Sequence, residues 1–247
     1  MTRQCKSVEE LEEHRKEHAC GGGRKLTELD RNMRAVALPM QGAFRKVLLQ
    51  DARRQYWLFK PEQGDRLDSA LVPEHAVAAA RVASLLGVRT PAVTIAEYLG
   101  ERGLLMAWDA QGMTLDDAVS AGLCSEEVAW EVLNAAGAVF DWVVGNGDRK
   151  LAHALVPHDA HFPPRLNQVS LIDLDMAFSP EEYGPDPPKT VTARQQHSAQ
   201  TLIRRPELLT SQVATLLTVE EQARLARRLA VVAQGRILGD VGALHLF

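Results

Sequence analysis

Asp141-Trp-Val-Val-Gly-Asn146-Gly-Asp148-Arg149-Lys150 and, further on, Val169-Ser-Leu-Ile-Asp173-Leu-Asp175-Met-Ala-Phe178 are the stretches on which the fold reading turns. Each is a short apolar run that delivers carboxylates to a turn or strand end, where acidic oxygens can meet a cation or a proton in transfer. Before the first, Ser125 is placed to cap a helix in which Val128, Val132, Ala136, Val139, Phe140 and Val143 recur at helical spacing. That helix runs into Gly145-Asn146-Gly147-Asp148. The Asn-Gly pair supports a rival reading, a hairpin joining Trp142-Val143-Val144 to residues 151–156. In the second stretch, a strand over residues 172–177 would turn Asp173 and Asp175 to the same face.

Upstream, the pattern changes from helical to alternating. Residues 35–40, 46–49 and 56–60 are short β-prone runs, separated by Gln41-Gly42-Ala43-Phe44-Arg45 and by the polar turn 50–55. Gly42 would let backbone amides approach a ligand closely, although a hairpin turn needs the same residue. Lys60 ends the apolar run Tyr56-Trp57-Leu58-Phe59, and an ammonium there must meet an anion or snorkel to water.

Pro73 suits the first turn of a helix running to Leu86 and stopped by Gly87. Its stripe Ala78, Val82, Leu85 and Leu86, stepped back by four, reaches Glu74. A carboxylate near a core-facing stripe needs a cation, and Lys60 is the candidate; the bland account is a first-turn glutamate satisfied by the helix dipole and water. Residues 92–98 and 104–108 read as two more strands around a turn over 99–103. The expectation is a five-stranded sheet with one helix, leaving through Ala107-Trp108-Asp109-Ala110.

Composition sets the outer bounds. A chain of 247 residues, 46% hydrophobic and 24% charged, is ordinary for a globular protein with a real core. The net charge of -4 argues against nucleic acid as the dominant partner. Cys5, Cys20 and Cys124 are too sparse for a disulfide framework, and no apolar run is long enough to span a membrane, which together suggest a reducing, cytoplasmic setting. Cys5, His14, His18 and Cys20 match no common zinc-finger spacing. Residues 7–18 read as a polar surface helix with a Ser7/Glu10 capping box, ended by Gly21-Gly22-Gly23.

Asp141, an apolar run, Asn146 and Asp148-Arg149 resemble the pattern Asp, apolar run, Asn, any residue, Asp-Arg of atypical kinases. These include type II phosphatidylinositol 4-kinases, HipA-type bacterial serine/threonine kinases and, more loosely, the secretory-pathway protein kinases and phosphatidylinositol 3- and 4-kinases. Ile172-Asp173-Leu-Asp175-Met-Ala-Phe178 is similar to the family's second motif, an Asp followed by an apolar run ending in Phe. Lys60 and Glu74 occupy the upstream places of the ATP lysine and its helix partner. The resemblance covers residues 42–178.

It implies an α+β, two-lobe, protein-kinase-like fold: an arm or helix over 1–30, an N-lobe over 31–109 with an antiparallel sheet and one helix, and a mainly helical C-lobe over 110–247. It implies ATP and Mg²⁺ as cofactors, and phosphoryl transfer to a hydroxyl of a protein serine or threonine, or of a small molecule. Asp148 would orient or deprotonate that hydroxyl, Asn146 would shape the loop, Lys60 would neutralise phosphate charge, and Asp173 would bind the cation. Gly42, Lys46, Glu74, Ala107, Trp108 and Asp109 would line the nucleotide, and Asp141 would hold the catalytic loop.

Two positions depart from the pattern. The family's second metal ligand, an Asn five residues after the catalytic Asp, is His153 here, and imidazole is a poorer ligand for Mg²⁺ than an amide oxygen. Asp175 stands where a small residue is usual and would serve with Asp173 and His153 as the metal set. The alternative is a pseudokinase, a nucleotide-binding regulatory or scaffolding module. Beyond the proline-rich loop 179–189, helices are expected over 193–203, over 207–217 and from a Thr218/Glu221 capping box. The last of these would have Leu225, Leu229 and Val232 inward and Arg224, Arg227 and Arg228 outward, followed by a packed tail over 243–247.

Overall fold

The computed structural model describes residues 33–36, 46–62, 71–109, 112–178, 185–188 and 191–235. The Ser7 helix, Cys5 with His14, His18 and Cys20, Gly42 and its loop, the strand residues 37–40 and the tail over 243–247 lie outside them. The chain divides into two compact units: one takes residues up to Ala80 together with Pro91–Gln111, and the other takes Arg81–Thr90 together with the chain from Gly112 onward.

The first unit carries a five-stranded antiparallel sheet, β1 (Arg34–Val36), β2 (Val47–Gln50), β3 (Tyr56–Pro61), β4 (Val93–Tyr98) and β5 (Glu101–Trp108), in the order β1-β2-β3-β5-β4. The architecture is α+β as expected, and the β-prone runs become strands close to the predicted places. Its core gathers Leu49, Phe59, Tyr98 and Leu105, with Phe59 and Tyr98 tilted at 54° and 5.5 Å between ring centroids.

The main correction is the link between β4 and β5. A turn was expected over 99–103, but the chain reverses at Leu99 and Gly100, whose φ values of 51° and 83° make the tight hairpin that suits the strand twist. Residues 101–103 therefore join the strand. Gly103 pairs with Pro61, and a Cβ there would lie 2.2 Å from the Lys60 carbonyl oxygen, so this position has no room for a side chain.

Helix α1 (Pro73–Leu86) spans both units, its residues to Ala80 counting with the first. It has the predicted bounds and stops where Gly87 takes φ +70°.

The second unit begins with β6 (Gly112–Thr114), α2 (Leu115–Ser120) and α3 (Glu126–Val144), and continues through a 3-10 turn (Leu151–His153) to β7 (Ala154–Pro157) and β8 (Ser170–Leu171). β6, β7 and β8 form a small antiparallel sheet. The hairpin reading of Asn146-Gly147 is overturned, because Trp142, Val143 and Val144 are the last turn of α3 and Gly145 ends it in the left-handed region. The strand reading of residues 172–177 fails too. β8 stops at Leu171, and Asp173 at φ 57° breaks the extended run, so the strand argument for a shared face of Asp173 and Asp175 does not apply.

Three helices follow: α4 (Ala193–Arg204), α5 (Pro206–Val213) and α6 (Val219–Ala233). α5 is shorter than expected, and the capping box predicted at Thr218 and Glu221 is present. Leu225, Leu229 and Val232 of α6 are buried as read. Arg228 departs from the solvated face assigned to it, for its guanidinium lies 5.9 Å over the Trp142 ring.

Candidate functional site

In the first unit, Lys60 reaches the end of β3 with only 3% exposure, so its ammonium is a buried charge in an apolar sheet. Lys46 stands just before β2 and is half-buried. Glu74, in the first turn of α1, accepts a hydrogen bond from Arg102 Nη2, and Arg102 Nη1 donates to Glu62 at 2.7 Å. Burial works against the Arg102 charge, but the bonds to Glu62 and Glu74 outweigh it and hold its pKa above the already high arginine value. Arg102 is a partner of Glu74 that the sequence did not show, because its segment read as a turn.

Ala107 and Trp108, expected to line a nucleotide, are tied into the sheet. The Ala107 N–H donates to the Ala92 carbonyl at 2.8 Å, and Trp108 pairs with Tyr56 in the ladder. Asp109 is the first exposed residue past the strand.

The second unit ties the two acid-bearing stretches together. Asp141 sits in the last turn of α3, 3% exposed, one turn after Gly137. A Cβ on Gly137 would come within 3.2 Å of an Asp141 carboxylate oxygen and 3.0 Å of a Leu171 methyl, so the glycine makes room for both. At Gly145, φ +70° turns the chain off the helix, and the Asn146 N–H returns to the Asp141 carbonyl at 2.8 Å. Asn146 Nδ2 then donates to Asp141 Oδ1 at 3.0 Å.

Arg149 is the hub. Its Nε donates to Asp141 Oδ2 at 2.9 Å and its Nη2 to Oδ1 at 2.7 Å, a two-pronged pair that offsets burial of both charges. Its Nη1 donates to the carbonyls of His153, at 3.1 Å, and Ile172, at 2.5 Å. Ile172 N–H also donates to the His153 carbonyl at 2.9 Å, and Phe178 N–H to the Val144 carbonyl at 2.6 Å. Thus one guanidinium fastens the helix end, the loop after it and the backbone entering Asp173. The sequence marked Arg149 only as part of a motif, because nothing local shows that the carbonyls of 153 and 172 will meet it.

Asp148 lies on this framework but points outward: its side chain is 45% exposed and pairs with Lys150 at 2.8 Å. Asp173 is 26% exposed, and its Oδ2 lies 3.3 Å from His153 Nε2. Burial depresses the His153 pKa; Asp173 and Asp148 oppose this, while Arg149 and Lys150 reinforce it. His153 Nδ1 is buried with no hydrogen bond among the described residues. His153 Nε2 thus stands beside the Asp173 carboxylate, the two side chains expected together in the metal set.

Among the described residues, no three of His, Cys, Asp and Glu converge as a metal cluster. The same residues include no helix long and apolar enough to cross a membrane.

No protein-family model matches the chain, and no curated protein matches it in sequence. Solved structures do return matches. One is the Helicobacter pylori proinflammatory kinase CtkA, with 10% identity and a TM-score of 0.46, covering 78% of this chain and 91% of that one.

Proposed function

We propose that this chain is an ATP-dependent phosphotransferase of two-lobe, kinase-like fold that transfers a phosphoryl group to a hydroxyl of a protein or a small molecule. The observation that carries the reading is the Arg149 hub, which fixes the Asp148 loop and the Asp173 segment to the same buried carboxylate of Asp141. Phosphoryl transfer asks chiefly for positioning and charge neutralisation, and a cross-braced pair of acidic segments supplies positioning.

In this reading Asp148, half-exposed and paired with the surface Lys150, accepts the proton of the attacking hydroxyl. Lys60 and Lys46 neutralise phosphate oxygens. Asp173 is a hard oxygen donor reachable from solvent, which fits a Mg²⁺ ion whose other ligands are phosphate oxygens and water. Such an ion would supply charge neutralisation between the phosphates. Asp175 is the second carboxylate in the turn that follows, and His153, 3.3 Å from Asp173, is the third member of the set.

The test is transfer of labelled phosphate from ATP in the presence of Mg²⁺, to the protein itself and to hydroxyl-bearing acceptors, with Asp148→Ala as control. Label that appears with the wild type and disappears with the variant supports the reading. The replacement of the amide ligand by His153 favours a second reading, a nucleotide-binding regulatory module. Stabilisation of the protein by Mg-ATP without label on any acceptor would select it.

A further inference from the structure

We propose that Arg102 is a positioning residue of the first unit: it clasps the first turn of α1 to the sheet through Glu74 and so sets where that carboxylate stands when a nucleotide binds. This inference rests on the phosphotransferase reading, in which Glu74 lines the nucleotide. One guanidinium holds two acids, for Arg102 Nη1 donates to Glu62 Oε2 at 2.7 Å and Nη2 donates to Glu74 Oε1. The backbone joins the same segments. Glu62 N–H donates to the Arg102 carbonyl at 2.8 Å, and Leu71 N–H, just ahead of α1, donates to the Glu62 carbonyl at 2.9 Å.

The end of β3 just past Lys60, the start of β5 and the start of α1 therefore meet under one fork. The strand that carries it is closely seated, since a Cβ on the adjacent Gly103 would lie 2.2 Å from the Lys60 carbonyl oxygen. The side chains of Arg102, Glu62 and Glu74 are 43%, 41% and 29% exposed. Ion pairs this open to water add little to stability. What the fork supplies is direction: a planar guanidinium with two prongs fixes the place of one carboxylate relative to the other, which a single ammonium would not do.

The experiment measures the dissociation constant for Mg-ATP by titration calorimetry in the wild type, Arg102→Met, Glu74→Gln and the double variant, with urea midpoints taken alongside. Arg102→Met keeps the apolar stem and removes both prongs. The expected result is that each single variant binds Mg-ATP about fivefold more weakly, the scale of one exposed ion pair. The double variant should bind no more weakly than the poorer of the two singles, because Arg102 acts through Glu74. Unchanged or tighter binding by Arg102→Met overturns the proposal, since a purely structural role moves only the urea midpoint. Losses that multiply in the double variant overturn it as well. If Arg102→Met does not fold, Arg102→Gln goes through the same cycle and decides by the same outcomes. Wild-type protein that shows no Mg-ATP binding overturns the nucleotide reading on which the proposal stands, a result separate from any comparison among variants.

Discussion

Arg149 and Asp141, eight residues apart, meet as a forked ion pair at 2.9 and 2.7 Å with both side chains nearly out of water. Removing either partner strands the other charge, so Asp141→Ala and Arg149→Ala should each cost about 3–5 kcal/mol. Arg149→Lys should recover only part of this, since an ammonium cannot span both oxygens. Urea unfolding of the singles and the double variant checks the point. The double should cost less than the sum of the singles, and additive losses would show that the pair is not a unit.

Asp148 should behave in the opposite way. Its ion pair with Lys150 is solvent-exposed and worth at most about 1 kcal/mol. Asp148→Ala is therefore expected to leave the melting temperature nearly unchanged while reducing phosphoryl transfer by about 10²–10⁴-fold, the range of a lost general base. Melting curves paired with transfer rates separate the two effects, and undiminished transfer would remove Asp148 from its assigned role.

Two glycines close together in the first unit make a contrast. Gly100→Ala meets open space and suffers only from its positive φ, about 1–2 kcal/mol. Gly103→Ala would drive a methyl to 2.2 Å from the Lys60 carbonyl and 2.8 Å from Pro61 Cα, backbone atoms with no easy retreat. It should cost about 3 kcal/mol or more and part β3 from β5. Comparing their midpoints in denaturant tests this; similar losses would contradict the close strand approach.

The buried His153 also predicts a slope of stability with pH. Its folded pKa lies below the ordinary value of 6.5, with burial the first cause. Above that value the ring is neutral both folded and unfolded, and it contributes no pH dependence. As pH falls through 6.5, the unfolded chain takes a proton that the folded chain still refuses, so stability falls. Unfolding at pH 7.5 and 5.5, with chelator present, should show a smaller acid loss for His153→Gln than for the wild type. Equal losses would mean that the ring titrates as it does in water.

Local patterns were enough for much of the fold. Pro73 and Gly87 bound α1, Ser125 caps α3, and Thr218 with Glu221 opens α6, since capping needs only groups within a few residues of one another. The sequence was least decisive where two local signals competed. Asn146-Gly147 is a sound hairpin signal, yet the buried stripe through Val139, Phe140 and Val143 keeps α3 helical to Val144, because apolar burial over several turns outweighs one turn preference. At 101–103 the reverse occurred: a stretch with turn-like residues became strand because the reversal needed only Leu99 and Gly100.

The sequence by itself determined which carboxylates stand at turns, which lysine ends an apolar strand, and that an α+β chain holds them. Tertiary structure alone decided their partners. Arg102 reaches Glu74 because residues 101–103 were drawn into β5. Arg149 fastens Asp141 to the carbonyls of His153 and Ile172, and the ring of His153 turns to Asp173. The physical reason is that hydrogen-bond and charge partners across sequence gaps are chosen by backbone position and burial, and neither is written in residue spacing. The two acid-bearing stretches were legible as separate turns, and the guanidinium that joins them became visible only in three dimensions.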